Sequence, residues 1–261
     1  MQSLHTSVML QEAVEALQIK SNGIYIDATF GGGGHSKLIL EKLGKDGRLF
    51  SYDKDSFAED IATNDDFIDS RFVFKKTSFS EFGTDMAELG LAGKISGVLF
   101  DLGVSSPQLD DAERGFSFMQ DGPLDMRMNN ASGFTAADWV NSTPEKEIAD
   151  AIFQHGDERL SRRIAKSIVR ERKIRKITRT LQLADIVAGA VPRRPQGKHP
   201  ATRTFQAIRI VVNSEYDDLL SALTSSIEVL EEKGRLVALS FHSGEDRIVK
   251  HFIRNSEIPT A

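Results

Sequence analysis

The sequence predicts an α/β fold, a Rossmann-like and mostly parallel sheet into which a helical domain is inserted. Three observations predict it. Short apolar runs alternate with amphipathic segments in the first part of the chain, the pattern of strands joined by crossover helices. Residues Ile24-Tyr25-Ile26-Asp27-Ala28-Thr29-Phe30-Gly31-Gly32-Gly33-Gly34-His35 read as a buried strand that opens into a glycine-rich loop and starts a helix. The gap between the last two candidate strands is far too long for a simple crossover, so a second domain interrupts the sheet there.

In chain order, strands are expected at 23–28, 48–53, 71–75, 95–101 and 234–241, with helices at 36–43, 55–62 and 80–90 between the first four. The insertion is expected over 108–213, leaving 1–107 and 214–261 for the sheet domain. Within it, Thr143-Pro144 with Glu147 resembles a helix-capping arrangement. A helix over 157–172 presents Leu160, Ile164, Ile168 and Val169 at helical spacing. A second helix spans 180–190, a Pro/Gly loop runs from Pro192 to Pro200, and one long helical stretch leads from Ala201 towards Leu230.

Composition narrows the classes. The chain has 261 residues, 40% hydrophobic and 27% charged, with no cysteine, so disulfides, thiolate catalysis and cysteine-bound zinc are excluded. The N-terminal residues have neither the basic start nor the apolar run of a signal peptide, and no stretch approaches a membrane span. A soluble cytoplasmic protein without membrane or metal partners is expected. The net charge of -5 hides a strong asymmetry: 159–209 holds fifteen Lys and Arg against two acids, Glu171 and Asp185. An acidic body with one basic lobe fits a polyanion held by the lobe, and a solvated helix face is the bland alternative.

The chemistry is concentrated at the carboxyl ends of the strands, where open α/β sheets bind ligands. A dinucleotide fingerprint starting from Gly32 and Gly34 needs a third glycine where Lys37 stands, which weakens an NAD reading. Asp53 ends the next strand, where an acid meets ribose hydroxyls. S-adenosylmethionine (SAM) has a ribose diol and no pyrophosphate, so it can use this loop and this acid. The fourth strand ends Asp101-Leu102-Gly103-Val104-Ser105-Ser106-Pro107-Gln108 at the same edge. A nucleobase amine shares its lone pair with the ring and is a poor nucleophile until acceptors hold its hydrogens, so Asp101, Ser105 and Ser106 are candidates for that task.

These segments resemble the RsmH (MraW) family, the bacterial 16S ribosomal RNA cytosine N4-methyltransferases. The resemblance rests on His5 to Leu10, Asp27 to Ser36, Asp101 to Gln108, Arg114 to Phe118, Gly122 to Met128, His199 to Ala207 and Ser240 to Ser243, in the family's order. It implies a class I SAM-dependent methyltransferase with a helical insertion that recognises RNA, and as partner the 16S rRNA of the small ribosomal subunit. Gly33, Gly34 and His35 would meet the methionine end of SAM, Asp53 the ribose and Phe79 the adenine. Asp101 and Gln108 would complete the pocket, leaving Ser105, Ser106 and the backbone near Pro107 to orient the target amine.

Substrate contacts are implied for Arg114, Phe116, Phe118 and Arg127, for His199 and for Arg203. Either aromatic would stack on an extruded base or pack in the insertion's core. Arg127, Arg203 and Arg209 would contact phosphate or form salt bridges. Trp139 reads as core, His199 as an RNA contact or a turn cap, and His242 as a third catalytic residue that faces the target base or takes the shed proton, with a satisfied core or surface histidine as the alternative.

Two departures stand against the family pattern. Gly244 replaces a usual leucine, implying looser packing, and the family continues past Ala261 through an arm and a final strand, implying that the sheet domain is incomplete here. The residues leave open a DNA amino-methyltransferase, a noncatalytic ribosome-assembly or RNA-binding protein, and an NAD-linked oxidoreductase.

Overall fold

The computed structural model of the protein describes residues 7–192 and 199–256. His5 and Thr6 of the first motif, and Arg193, Arg194 and Lys198 of the basic lobe, lie outside the described residues. Two compact units are formed, Met1–Gly103 with Tyr216–Ala261, and Val104–Glu215.

The first unit begins α1 (Leu10–Ala16), β1 (Ile24–Asp27), α2 (Gly34–Lys42), β2 (Arg48–Asp53), α3 (Ser56–Ala62), β3 (Phe72–Lys76), α4 (Phe82–Glu88) and β4 (Ile95–Asp101). The second unit contributes α5 (Ser106–Asp110), α6 (Ala136–Ser142), α7 (Glu145–Gly156), α8 (Ser161–Ile174), α9 (Thr180–Ala190) and α10 (Thr202–Asn213). The chain then continues as α11 (Glu215–Val229), β5 (Leu230–Leu239) and α12 (Ser243–Ser256). The strands form one sheet in the order β3-β2-β1-β4-β5, and every pairing is parallel. The expected α/β, Rossmann-like class is therefore the observed one, with the order reversing between β1 and β4.

Alternation along the central strands builds a core on each face. Tyr25, Leu49 and Leu99 pack with residues of α1, α2 and α3. Ile26, Phe50, Val98 and Phe100 pack with α4 and with Leu219, Ala222 and Leu223 of α11. Strands covered on both faces read as continuous apolar runs, which is why β1, β2 and β4 were visible in the sequence. The edge strand β3 is only partly covered, and Val73 is exposed.

Several expectations are corrected. The last strand spans Leu230–Leu239 rather than 234–241: Leu230 pairs with Ile95 and Arg235 with Gly97, so residues 231–234 bulge out, with Lys233 at φ 67°. Its far end stops early because the Phe241 N–H donates to Glu245 Oε2 at 3.0 Å instead of to the ladder. The long helix after Ala201 is two helices. Asn213 ends α10 by donating to the Met126 carbonyl at 2.7 Å while accepting the Met128 N–H at 2.7 Å, and Ser214 turns left-handed at φ 53°. Pro144 precedes α7 without a side-chain cap, and Asp157 is the left-handed C-cap of α7, so α8 starts only at Ser161. Gly244 does not loosen the fold, because the Tyr216 hydroxyl occupies the space a Cβ would need.

The second unit has its own core. Ile148 and Ile152 of α7 meet Ile164, Ala165 and Ile168 of α8, Leu183 and Val187 of α9, and Phe205 and Ile208 of α10. Trp139 packs against this core, as its sequence context implies.

Candidate functional site

In the sheet unit the glycine loop is fixed from beneath by Asp27, a buried carboxylate at the end of β1. It accepts the Thr29 N–H at 3.1 Å and the Ser36 hydroxyl at 2.7 Å, and Ser36 Oγ lies 2.8 Å from Ser51 Oγ. Thr29 Oγ1 in turn accepts the Asp101 N–H at 2.6 Å, locking the loop to β4. Asp27 holds the loop in a way that sequence reasoning passed over; the signal was an acid closing an apolar run immediately before the loop.

The glycines divide by cause. Gly33 caps α2 at φ 77°, and a Cβ there would run into Phe67 at 2.6 Å, so the fold itself demands glycine. A Cβ on Gly34 would collide with Ser7 Oγ. Among the described residues nothing lies within 4 Å of the Cβ position at Gly32, so they leave that side of the loop open. A loop whose backbone faces open space can take close approach of a ligand.

Asp53 sits beside the same loop. Its carboxylate accepts the Gly31 N–H at 2.8 Å and the Asp55 N–H at 2.9 Å. Burial pushes its pKa up to about 6 despite those two bonds. Phe79 lies in a short turn after β3 with its ring edge-on to Phe100, centroids 5.8 Å apart.

At the end of β4, Asp101 Oδ2 stands 3.6 Å from His35 Nδ1, while Asp101 Oδ1 and His35 Nε2 are buried without hydrogen-bond partners among the described residues. Burial, reinforced by Asp27 and Glu245 and opposed by His35, pushes the Asp101 carboxyl up to about 6. Two orphaned polar atoms, an open glycine backbone and the Asp53 carboxylate fit a ligand carrying a diol and a polar, cationic end, as SAM does. His242 is held by the buried Glu245. Its Nδ1 accepts the Glu245 N–H at 3.4 Å, and its Nε2 stands 3.1 Å from Glu245 Oε1, close but not aligned for a hydrogen bond. The ring of Tyr216 lies against it at 6.1 Å.

The raised carboxyls carry a stability prediction. In the unfolded chain an aspartate loses its proton near pH 4, whereas native Asp101 keeps it to about pH 6. The native state binds the extra proton in that window, so this stabilisation is present below pH 4 and lost as pH rises through 6. Asp101→Asn should therefore match wild type at pH 4 and exceed it by on the order of 1–3 kcal/mol at pH 8 in urea unfolding without ligand. Equal pH slopes for the two proteins would show that Asp101 is not held protonated.

In the helical unit Ser105 and Ser106 lie at the start of α5, where Gln108 Oε1 accepts the Ser105 N–H at 3.0 Å. Gln108 is buried and serves as part of this cap. Phe116 is corrected as a stacking candidate: it is 6% exposed and belongs to the core. Arg114 lies over its ring at 5.6 Å and donates to the Arg127 and Met128 carbonyls at 3.0 Å each. Arg127 is engaged by Asp125 through two 2.8 Å bonds, and Arg209 pairs with Glu215 at 2.7 and 2.8 Å. Phe118 packs between His199 and Phe205, at 4.7 Å from each ring. His199 Nδ1 accepts the Ala201 N–H at 3.2 Å, a turn cap, and its residue stays exposed. Arg203 is exposed and donates to the Asp157 carbonyl at 3.0 Å.

Among the described residues no group of three or more His, Asp or Glu side chains could hold a metal ion, and no helix is long and apolar enough to cross a membrane. A crystal structure from Clostridium thermocellum described as a candidate rRNA methylase is 21% identical and matches 39% of this chain at a TM-score of 0.31. The match spans 54% of that relative's length, a likeness too partial to bear on function. Residues 2–260, nearly the whole length, match the MraW methylase family. The chain belongs to the MraW methylase family.

Proposed function

We propose that the protein is a SAM-dependent methyltransferase acting on ribosomal RNA, and that it methylates the exocyclic N4 of a cytidine in the decoding centre of 16S rRNA. The observation that carries this reading is the family match over residues 2–260. In it, residues 1–107 and 214–261 form the cofactor-binding domain and residues 108–213 the RNA-recognition domain, in the cytoplasm and within the small ribosomal subunit.

When bound, SAM supplies an electrophilic methyl group. Asp53 would accept the ribose hydroxyls, Gly33, Gly34 and His35 would hold the methionine end, and Phe79 would border the adenine, with Asp101 and Gln108 completing the pocket. Ser105, Ser106 and the backbone near Pro107 accept the amine hydrogens and turn its lone pair out of conjugation, which positions it for in-line attack. His242 takes the shed proton on its imidazole ring. His199 and Arg203 contact the RNA backbone.

Nucleoside mass spectrometry tests the reading, after incubation with SAM and small subunits from cells lacking the modification. N4-methylcytidine is expected. A methylated base of another kind would replace the cytosine-N4 assignment, and no transfer despite SAM binding would make the chain a noncatalytic RNA-binding member.

A further inference from the structure

The helical unit contains a cavity of about 550 Å³ lined by Phe153, Asp157, Glu158, Arg159 and Arg203, of which only Arg203 is given a role above, as a contact to the RNA backbone. Phe153 stands on α7 with 58% of its surface exposed, although the preceding residues Ile148 and Ile152 of the same helix are fully buried. A phenylalanine ring exposed in a cavity that two arginines also line is well placed for stacking.

The walls of the cavity differ in charge. Glu158 is fixed there by accepting the Leu160 N–H at 2.8 Å, and its second oxygen lies 4.0 Å from Arg203. Arg203 is anchored by the Asp157 carbonyl, close to the point where Gly156 lets the Arg203 backbone approach: a Cβ on Gly156 would meet the Arg203 carbonyl oxygen at 2.5 Å. Arg159 has no ion pair among the described residues. A ligand suited to this lining has a flat face for Phe153, an anion for the guanidinium groups and N–H donors for the Glu158 carboxylate, and a nucleotide carries all three.

We propose that this cavity binds one unstacked nucleotide of a single-stranded RNA segment, its base on Phe153, its phosphate on Arg159 and Arg203, and its base N–H groups facing Glu158. It is a second nucleotide position, separate from the residues assigned to the methylated base, and it rests on the reading of the protein as an RNA-binding enzyme.

Fluorescence anisotropy of the full chain with a short, unstructured, labelled RNA tests it, using Phe153→Ala, Phe153→Tyr and wild type. Because Phe153 is exposed, the alanine variant should keep the wild-type melting temperature. Its affinity for the single strand is expected to fall about tenfold, Phe153→Tyr should retain it, and affinity for a duplex of equal length should not change. Equal affinity of Phe153→Ala and wild type for the single strand overturns the nucleotide position while leaving RNA binding in place. If wild type binds neither RNA form, the RNA reading and this proposal fall together.

Discussion

Asp53→Ala is expected to weaken SAM binding by at least about a hundredfold in titration calorimetry, the largest effect predicted for a single substitution. Two hydroxyl bonds to an ionised carboxylate are lost, each worth ~1.5–3 kcal/mol. The loop loses an anchor as well, since Asp53 accepts the Gly31 N–H at 2.8 Å. Asp53→Asn separates these contributions: its side-chain oxygen can still hold Gly31, so loop order survives while the charge is gone, and intermediate affinity is expected. The pH dependence supplies an independent check. Free Asp53 is protonated below about pH 6, so acceptance of two hydroxyls there requires a proton to leave. Wild-type affinity should consequently rise from pH 5 to pH 7, and this rise should flatten in Asp53→Asn. Unchanged affinity in Asp53→Ala would remove Asp53 from the ribose.

The parts of this site that could be read from the sequence are those where one residue type has one physical cause. β1, β2 and β4 were legible because burial on both faces leaves a largely apolar run, and Asp53 because an acid at that strand end has a known partner chemistry. The break at Ser214 was not legible: no glycine or proline marks it, and what ends α10 is the Asn213 amide reaching Met126 and Met128, a contact distant in sequence. The same holds for Phe116 and Phe153. Both are phenylalanines in the insertion, yet one is core and the other solvent-exposed, a difference set by tertiary packing alone. Arg127 and Arg209 looked available for phosphate until their carboxylate partners, Asp125 and Glu215, came into place beside them. Glu245 gave no sign of burial, because an acid in the first turn of a helix is ordinarily a solvated one.

Charge reversal on α8 is expected to produce the other large effect. The helix buries Ile164, Ala165 and Ile168 and turns Arg162, Arg163, Lys166 and Lys173 to solvent, where none has an ion pair among the described residues. Arg170 and Arg172 are different: Arg170 pairs with Glu171, and Arg172 donates to the Val140 and Thr143 carbonyls at 2.7 Å. Cations held in this way are structural, so a clean test leaves them alone and changes the other four to glutamate. Each phosphate contact contributes about 0.7–0.9 to the slope of log affinity against log salt, so losing four should flatten the slope by about 3 and weaken RNA binding at least a hundredfold near ~0.1 M salt. SAM affinity should be unchanged, because the cofactor residues of the sheet unit are untouched. A flattened slope with intact SAM binding would identify α8 as the electrostatic contact for RNA. If salt slope and affinity both stay at wild-type values, the exposed face of α8 is a solvated one, and RNA recognition must be carried by His199, Arg203 and the Phe153 cavity.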